Sequence, residues 1–173
     1  MTYICSYLHD MKVTLDTNIL PADDLIASVA PELFEFSIVS VTDRETKGSK
    51  DLRARADISS IPETMVLGES CLGLAVLADS TDASCLEFCL KIISDGSFPP
   101  PDKRDKLTSG RLRQLRDAMI FCTHVRNGGE IFVTNDEKGF VKGDHRIKIE
   151  NVFYTRIMTR DEFLTEFGTK RCA

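Results

Sequence analysis

The sequence predicts an α/β fold, a three-layer α/β/α sandwich around a central and mainly parallel sheet. Short apolar segments rich in β-branched residues alternate along the chain with longer segments of helical periodicity, as in a sheet whose strands are joined by helical crossovers. The length of 173 residues, with 42% hydrophobic and 28% charged residues, is typical of one globular domain. Two aspartates also end predicted strands, where α/β sheets carry their functional residues. We therefore expect a single domain at residues 12–168.

Apolar runs and turn-forming residues define the elements in the first third of the chain. Residues 1–11 are expected to form an N-terminal extension. The predicted elements that follow are a strand at Lys12–Asp16, a helix at Asn18–Ala30, a strand at Phe36–Val41, and a helix that begins near Glu45 and gives way to a loop within the polar residues 47–58. Pro21 suits the start of the first helix, where its missing N–H is not needed.

Residues 59–108 are predicted as an insert that is longer and more helical than a compact α/β domain needs. Glu63–Ala78 is strongly apolar and fits either a strand or a helix, and its length favours the helix. Ser84–Ser94 has the apolar face of a helix. The stretch from Gly96 to Thr108 contains three consecutive prolines and predicts an exposed loop.

The last third of the chain predicts the remaining strands and two further helices. The expected elements are a helix from Ser109 to about Asn127 that stops at Gly128-Gly129, a strand at Glu130–Thr134, weaker strands at Arg146–Ile149 and Thr155–Met158, and a final helix through Phe167. Thr159 and Glu162 have capping-box spacing and mark the start of that final helix. Residues 169–173 are expected to be a C-terminal tail.

Charge and cysteine content argue against several function classes. A net charge of −5 disfavours a protein that coats nucleic acid through bulk positive charge. Six cysteines lie mostly in apolar runs and predict reduced, buried thiols of a cytoplasmic protein. Cys85 and Cys89 are four residues apart, but no second cysteine pair or histidine at zinc-finger spacing completes a zinc site. Neither a signal peptide nor a membrane-spanning apolar run is expected.

Four acidic residues stand in settings that predict a shared site: Asp16, Glu45, Asp117 and Asp136. Asp16 and Asp136 each end an apolar strand, and parallel strand ends meet at one edge of a sheet. Asp117 precedes five apolar residues, so a carboxylate there must be paired, protonated or bound to a metal. Ordinary roles remain open for each residue. Asp16 and Asp136 suit caps or turns, Glu45 suits a first helical turn, and Asp117 suits a salt bridge to Arg113.

Together these residues resemble the acidic motifs of the PIN-domain nuclease family. Leu15-Asp16-Thr17-Asn18 looks like the first motif, and Ser40-Val41-Thr42-Asp43-Arg44-Glu45 is similar to the second, with Asp43 as a rival for the role of Glu45. Arg116-Asp117-Ala118-Met119-Ile120 resembles the third, and Val133-Thr134-Asn135-Asp136-Glu137-Lys138-Gly139-Phe140 resembles the fourth. The resemblance spans residues 12–167. The interval of 72 residues between Glu45 and Asp117 is longer than in compact members of the family.

This resemblance implies a PIN-like fold and the hydrolysis of single-stranded RNA with Mg²⁺ or Mn²⁺. Asp16, Asp117 and Asp136 would bind the metal, and Glu45 would complete the catalytic set. The residues implied around the metal or at the substrate are Thr17, Asn18, Thr134, Asn135, Arg113 and Arg116. Members of the family also occur as toxins held by an antitoxin protein or as stand-alone RNA-processing enzymes, and a homodimer is the family-level expectation.

Two basic segments, at residues 44–55 and 103–116, are candidates for RNA binding, and solvated surface charge is the competing interpretation for both. A phosphatase with an aspartyl nucleophile is disfavoured, because that chemistry needs an aspartate two positions after Asp16, where Asn18 stands. A PIN-like fold that acts as a non-catalytic binding or scaffold module remains the alternative function.

Overall fold

The computed structural model describes residues 10–46, 58–71 and 73–169, and a parallel sheet lies at its centre. The strands are β1 (Met11–Leu15), β2 (Phe34–Val39), β3 (Ser59–Ile61), β4 (Glu63–Thr64), β5 (Ala75–Val76), β6 (Ile131–Val133) and β7 (Arg156–Met158). Five of them form one sheet in the order β3-β2-β1-β6-β7, and every neighbouring pair is parallel. Strands β4 and β5 form a separate parallel pair.

Helices pack on both faces of the five-stranded sheet, which confirms the predicted three-layer α/β/α sandwich. They are α1 (Asp23–Ile26), α2 (Ser40–Thr46), α3 (Ser80–Ile93), α4 (Ser109–Arg126), α5 (His145–Phe153) and α6 (Arg160–Phe167). Because side chains alternate along a strand, β6 serves two cores. Phe132 packs in the core formed with α3, α4 and α5, whereas Ile131 and Val133 pack in the core formed with α1 and α6.

The strand order has a switch point between β1 and β6. From β1 the chain continues outward to β2 and β3, and it later returns on the other side of β1 as β6 and β7. Leu15 is paired with Val133, and the Asp16 amide donates to the Val133 carbonyl at 3.0 Å. The ends of these two strands therefore border the crevice at which open α/β sheets bind ligands.

The helix predicted at 63–78 is wrong, since this segment forms β4, β5 and the loop between them. Gly68 and Gly73 have φ angles of +84° and +91°, which other residues rarely adopt and which no α-helix contains. Leu67 and Leu77 are 92% and 77% exposed, so the apolar run does not form a buried helix face. The hydrophobic content of the segment does not indicate a buried helix here, because several of its apolar side chains face solvent.

The strand predicted at 146–149 is also wrong, because these residues belong to helix α5. Ile149 is fully buried while Ile147 is 58% exposed, so the two isoleucines do not line one face as a strand would require. The helix predicted at 18–30 is interrupted: a 3₁₀ turn at Thr17–Ile19 precedes α1, and Pro21 stands between them. The predicted strand at 155–158 is confirmed as β7.

Other predictions hold in their main features. Helix α4 begins at Ser109 as expected, although Thr108 is the capping residue, and the capping box of Thr159 and Glu162 starts α6. Cys85, Cys89 and Cys122 are free buried thiols, as their apolar setting predicts. Most of the N-terminal extension predicted at residues 1–11, most of the polar stretch 47–58 and most of the C-terminal tail lie outside the described residues. Met11, placed in that extension by the prediction, is instead the first residue of β1. Within the described ranges, no helix has both the length and the apolar character to cross a membrane.

Candidate carboxylate site

Asp16 lies at the carboxyl end of β1 and is only 1% exposed. Its Oδ1 atom accepts a 2.7 Å hydrogen bond from the Thr17 amide, which caps the following 3₁₀ turn. Its Oδ2 atom accepts from the Asn18 amide group at 2.7 Å and from the Thr134 hydroxyl at 2.6 Å. The carboxylate is therefore held in one orientation by its own turn and by the end of β6.

Thr134 is the link between the two strand ends. Its hydroxyl donates to Asp16, accepts from the Asn18 side chain at 3.2 Å, and accepts from the Asp136 amide at 3.0 Å. Thr134 is completely buried, so these bonds are shielded from water. One hydroxyl thus fixes the position of Asp16 relative to the start of the Asp136 turn.

Asp136 begins a π-helical turn at Glu137–Val141. Its Oδ1 atom accepts from the amides of Lys138 and Gly139 at 3.2 and 3.1 Å. Its Oδ2 atom lies so close to Gly139 that a Cβ added to this glycine would stand 2.2 Å away. The absence of a side chain at position 139 is what leaves room for the Asp136 carboxylate.

Glu45 reaches the same site from helix α2. Its Oε2 atom accepts a 2.8 Å hydrogen bond from the Thr17 hydroxyl, and its Oε1 atom lies 3.7 Å from an Arg116 guanidinium nitrogen. Asp43, the rival residue, instead accepts a hydrogen bond from the hydroxyl of Ser60 in β3. Of the two acids, Glu45 is the one whose charge raises the pKa values of Asp16 and Asp117.

Asp117 projects from α4, whose following residues Ala118, Met119 and Ile120 are buried in the core. Its carboxylate accepts no hydrogen bond and forms no close ion pair with any described residue. Its pKa is raised to about 8, mainly by burial and also by the negative charges of Asp16, Asp136 and Glu45, while Arg113 opposes the shift. This acid is therefore the least satisfied group of the site.

The pKa of Asp16 also rises, to about 6. Burial is the main cause, and the charges of Asp136 and Glu45 add to it, although the hydrogen bonds from Thr134 and the Thr17 amide lower the value. The four predicted acids thus lie within electrostatic range of one another, although they are far apart in sequence. They concentrate negative charge at the crevice between β1 and β6.

The residues predicted around the acids have different surroundings. Thr17, Asn18 and Thr134 hydrogen-bond directly to the acids. Asn135 instead connects the end of β6 to the 3₁₀ turn and to α6. Its amide donates to the Asn18 side chain, and its own side chain accepts from the Arg160 amide. Arg116 is engaged with Glu69, at 2.6 Å, and with Glu45.

The donor set consists of carboxylate oxygens, the ligands that Mg²⁺ and Mn²⁺ prefer. Across residues 10–46, 58–71 and 73–169, no group of three or more His, Cys, Asp or Glu side chains has an arrangement that could hold a metal ion. Both oxygens of Asp16 are already hydrogen-bonded. Asp117 and the Oδ2 atom of Asp136 keep free acceptor capacity. The residues therefore fit a sparsely held ion with one or two protein carboxylates and several waters, which is the usual binding mode of Mg²⁺.

Sequence reasoning missed two residues near the site. Glu69, from the loop between β4 and β5, binds Arg116, and Lys138 follows Asp136 and lines the same cavity as Asp117. Lys138 could have been noted because it lies two residues after a site aspartate. The sequence carries no signal for Glu69, because the apolar content of its segment favours a helix.

Comparisons of this chain with protein-family models, with curated protein sequences and with solved structures found no match.

Proposed function

We propose that the protein is a Mg²⁺- or Mn²⁺-dependent nuclease that hydrolyses phosphodiester bonds, with single-stranded RNA as its substrate. The observation that carries this proposal is the Asp117 carboxylate, which is largely buried, has no hydrogen-bond donor among the described residues, and faces three other acids. Such a group must be protonated or neutralised by a cation. The resemblance to the acidic motifs of PIN-domain nucleases supports the second outcome.

The four acids would have different roles at such a metal site. Asp117 and Asp136 would hold the ion directly, because both have carboxylate oxygens with free acceptor capacity. Asp16 would bind it with an orientation set by Thr134 and Asn18, and Glu45 would accept a proton or bind through water. When bound, the cation supplies positive charge that lowers the pKa of water and stabilises negative charge on a phosphate.

A cleavage assay on unstructured RNA tests this proposal. We expect hydrolysis that requires Mg²⁺ or Mn²⁺, stops on chelation, and falls by at least about 100-fold in Asp117→Asn, because general acid–base and electrostatic groups contribute on this scale. Asp102→Asn is the matched control, since Asp102 is exposed in the turn at Pro101–Lys103 and does not line the cavity that contains Asp117 and Asp136. Hydrolysis that survives both Asp16→Asn and Asp117→Asn, or that persists in a chelator, would exclude the mechanism.

A non-catalytic binding or scaffold module is the second candidate, and one observation favours it. The carboxylate of Asp16 is fully hydrogen-bonded to Thr17, Asn18 and Thr134, as a purely structural cap would be. Calorimetric titration with Mn²⁺ separates the two functions. Binding that is lost in Asp117→Asn supports the nuclease, whereas the absence of heat with wild-type protein favours the module.

Two biological settings fit the proposed chemistry, a toxin controlled by an antitoxin protein and a stand-alone RNA-processing enzyme of the cytoplasm. The toxin setting predicts a short neighbouring reading frame with the pattern of a DNA-binding antitoxin, and growth arrest when this chain is expressed alone. In either setting the protein would act as a homodimer, which analytical ultracentrifugation tests directly.

A further inference from the structure

A cavity of about 560 Å³ opens beside the carboxylate site, between the end of α3, the middle of α4 and the Asp136 turn. Asp117 and Asp136 form part of its wall. The remaining lining residues are Ile93, Ser94, Asp95, Arg113, Gln114, Lys138, Gly139 and Lys142. Its volume lies in the range of small-molecule sites in proteins, so it is large enough for a nucleotide-sized group.

The cations near this cavity fall into two classes. Two are neutralised within the protein: Arg116 by Glu69 and Lys142 by Asp95. Arg111, in the basic segment predicted to bind RNA, is engaged with Gln114 and Ser97. Arg113 and Lys138 differ, because their side chains donate no hydrogen bond and form no ion pair with any described residue. Both are exposed and both line the cavity.

The positions of the two cations relative to the acids follow from local geometry. Arg113 is four residues before Asp117 on α4, so the two side chains lie on the same face of the helix. Lys138 is two residues after Asp136, in the turn that Asp136 caps. Each unpaired cation is therefore adjacent to one of the two acids that keep free acceptor capacity.

We propose that this cavity is a phosphate subsite for single-stranded nucleic acid, in which Arg113 and Lys138 bind the backbone phosphate next to the one that is cleaved. This proposal rests on the proposed function and adds where the substrate strand lies. A phosphodiester carries one negative charge and several acceptor oxygens, which match a guanidinium fork and an ammonium group. The subsite reads the backbone and not the bases, so it is indifferent to sequence.

Salt-dependent binding of a short fluorescent uridine oligomer tests the subsite. The titrations are made in EDTA, so that no cleavage occurs, at salt concentrations from about 50 to about 200 mM. Each phosphate contact with a single strand contributes about 0.7 to the slope of log affinity against log salt. Because both cations bind one phosphate, we expect the double variant of Arg113→Gln and Lys138→Gln to reduce the slope by about 0.7, and each single variant to reduce it by less.

Lys91→Gln is the matched control. Lys91 is an exposed lysine of α3 that does not line the cavity, so its loss removes the same charge elsewhere. Wild-type slope in the double variant, or an equal fall in Lys91→Gln, would overturn the subsite. The same reductions on a deoxyuridine oligomer of equal length support backbone recognition, and a reduction confined to RNA contradicts it.

Failure of the subsite and failure of the proposed function give different results. Loss of slope in the variants without metal-dependent hydrolysis by wild-type protein supports the subsite and rejects the nuclease. Metal-dependent hydrolysis with unchanged slopes supports the nuclease and rejects the subsite.

Discussion

The Thr134 hydroxyl donates a 2.6 Å hydrogen bond to Asp16 Oδ2 across the junction of β6 and β1. The oxygen of the Thr134 hydroxyl also accepts a hydrogen bond from the Asp136 amide. A single buried hydroxyl therefore joins two acids that are separated by 119 intervening residues in the chain. The relationship makes the position of each acid depend on the other strand.

Thr134→Val will destabilise the protein, because it leaves the Asp16 carboxylate and the Asp136 amide without this partner. The expected loss is about 1–3 kcal/mol in urea denaturation, the usual penalty for an unsatisfied buried group. The pKa of Asp16 should also rise above its value of about 6, since the Thr134 hydrogen bond lowers it. Carbon-13 NMR titration measures that pKa. Thr134→Ser keeps the hydroxyl and should stay near wild type in both measurements, and an unchanged pKa in the valine variant would contradict the argument.

Asp117 makes the stability of the metal-free protein depend on pH. Its pKa is about 8 in the folded state against an ordinary value of 3.8, so the folded state binds a proton that the unfolded state has lost. The contribution of Asp117 to stability is therefore full below pH 4 and is lost as the pH rises toward about 8, by about 1.4 kcal/mol for each pH unit at which only the folded form is protonated.

Asp117→Asn should remove this decline and be more stable than wild type at pH 8 in EDTA. Thermal unfolding across that pH range measures the effect, with Asp102→Asn as the control that retains the wild-type slope. A decline that persists unchanged in Asp117→Asn would show that another group causes it.

Gly139→Ala will displace the Asp136 carboxylate, because the new methyl group would stand 2.2 Å from Oδ2. We expect the variant to fold but to lose most of the stabilisation by Mn²⁺, which for an intact site is about 2.7 kcal/mol at a hundred times the dissociation constant. Thermal unfolding with and without Mn²⁺ measures this response. Gly110→Ala is the control, since its Cβ meets open space on α4 and should leave the response intact. An equal response in both variants would mean that Asp136 does not bind the ion.

His124 should make the protein sensitive to acid. Its ring is completely buried between the hydroxyls of Thr14 and Thr155, at 2.9 and 2.7 Å, and burial lowers its pKa from 6.5 to about 3. Between these pH values the histidine is protonated in the unfolded state but not in the folded state, so stability falls as the pH drops from 6.5 toward 3. His124→Gln cannot ionise, so its stability curve should be flatter over this range although lower at pH 7. If the stability of His124→Gln fell with decreasing pH as steeply as that of wild type, another group would be the cause of the acid sensitivity.

The strand ends could be predicted because their signals are local. Strand β6 is buried on both faces of the parallel sheet, with Ile131 and Val133 on one face and Phe132 on the other, which gives a continuous apolar run. In β1, Val13 and Leu15 are buried on the same face as Ile131 and Val133. The polar residues that follow each run, Asp16 and Thr134, then lie at the same edge. Asp117 could be singled out in the same way, because a carboxylate inside an apolar helix needs a partner.

The segment at 63–78 could not be predicted, because its structure depends on distant partners. Glu63 is fully buried and accepts hydrogen bonds from Ser40 and from Arg44, neither of which is close in sequence. The role of Arg116 depends on the same segment through Glu69. The sequence offers Arg113 and Arg116 alike as substrate contacts, whereas in the described residues Arg116 is paired with Glu69 and Arg113 has no ion pair.

The reversal of strand order beside β1 allows the number of residues between Glu45 and Asp117 to vary. Glu45 lies on α2 and Asp117 lies on α4, so their spacing is set by how these two helices pack and not by the number of residues between them. Residues can be added to or removed from the loops of this interval without shifting the carboxylates, provided that β3, α3 and the ion pair of Glu69 with Arg116 keep their positions. The unusually long interval in this chain is then free to acquire a surface of its own, such as the exposed leucines 67, 74 and 77, while the crevice stays unchanged.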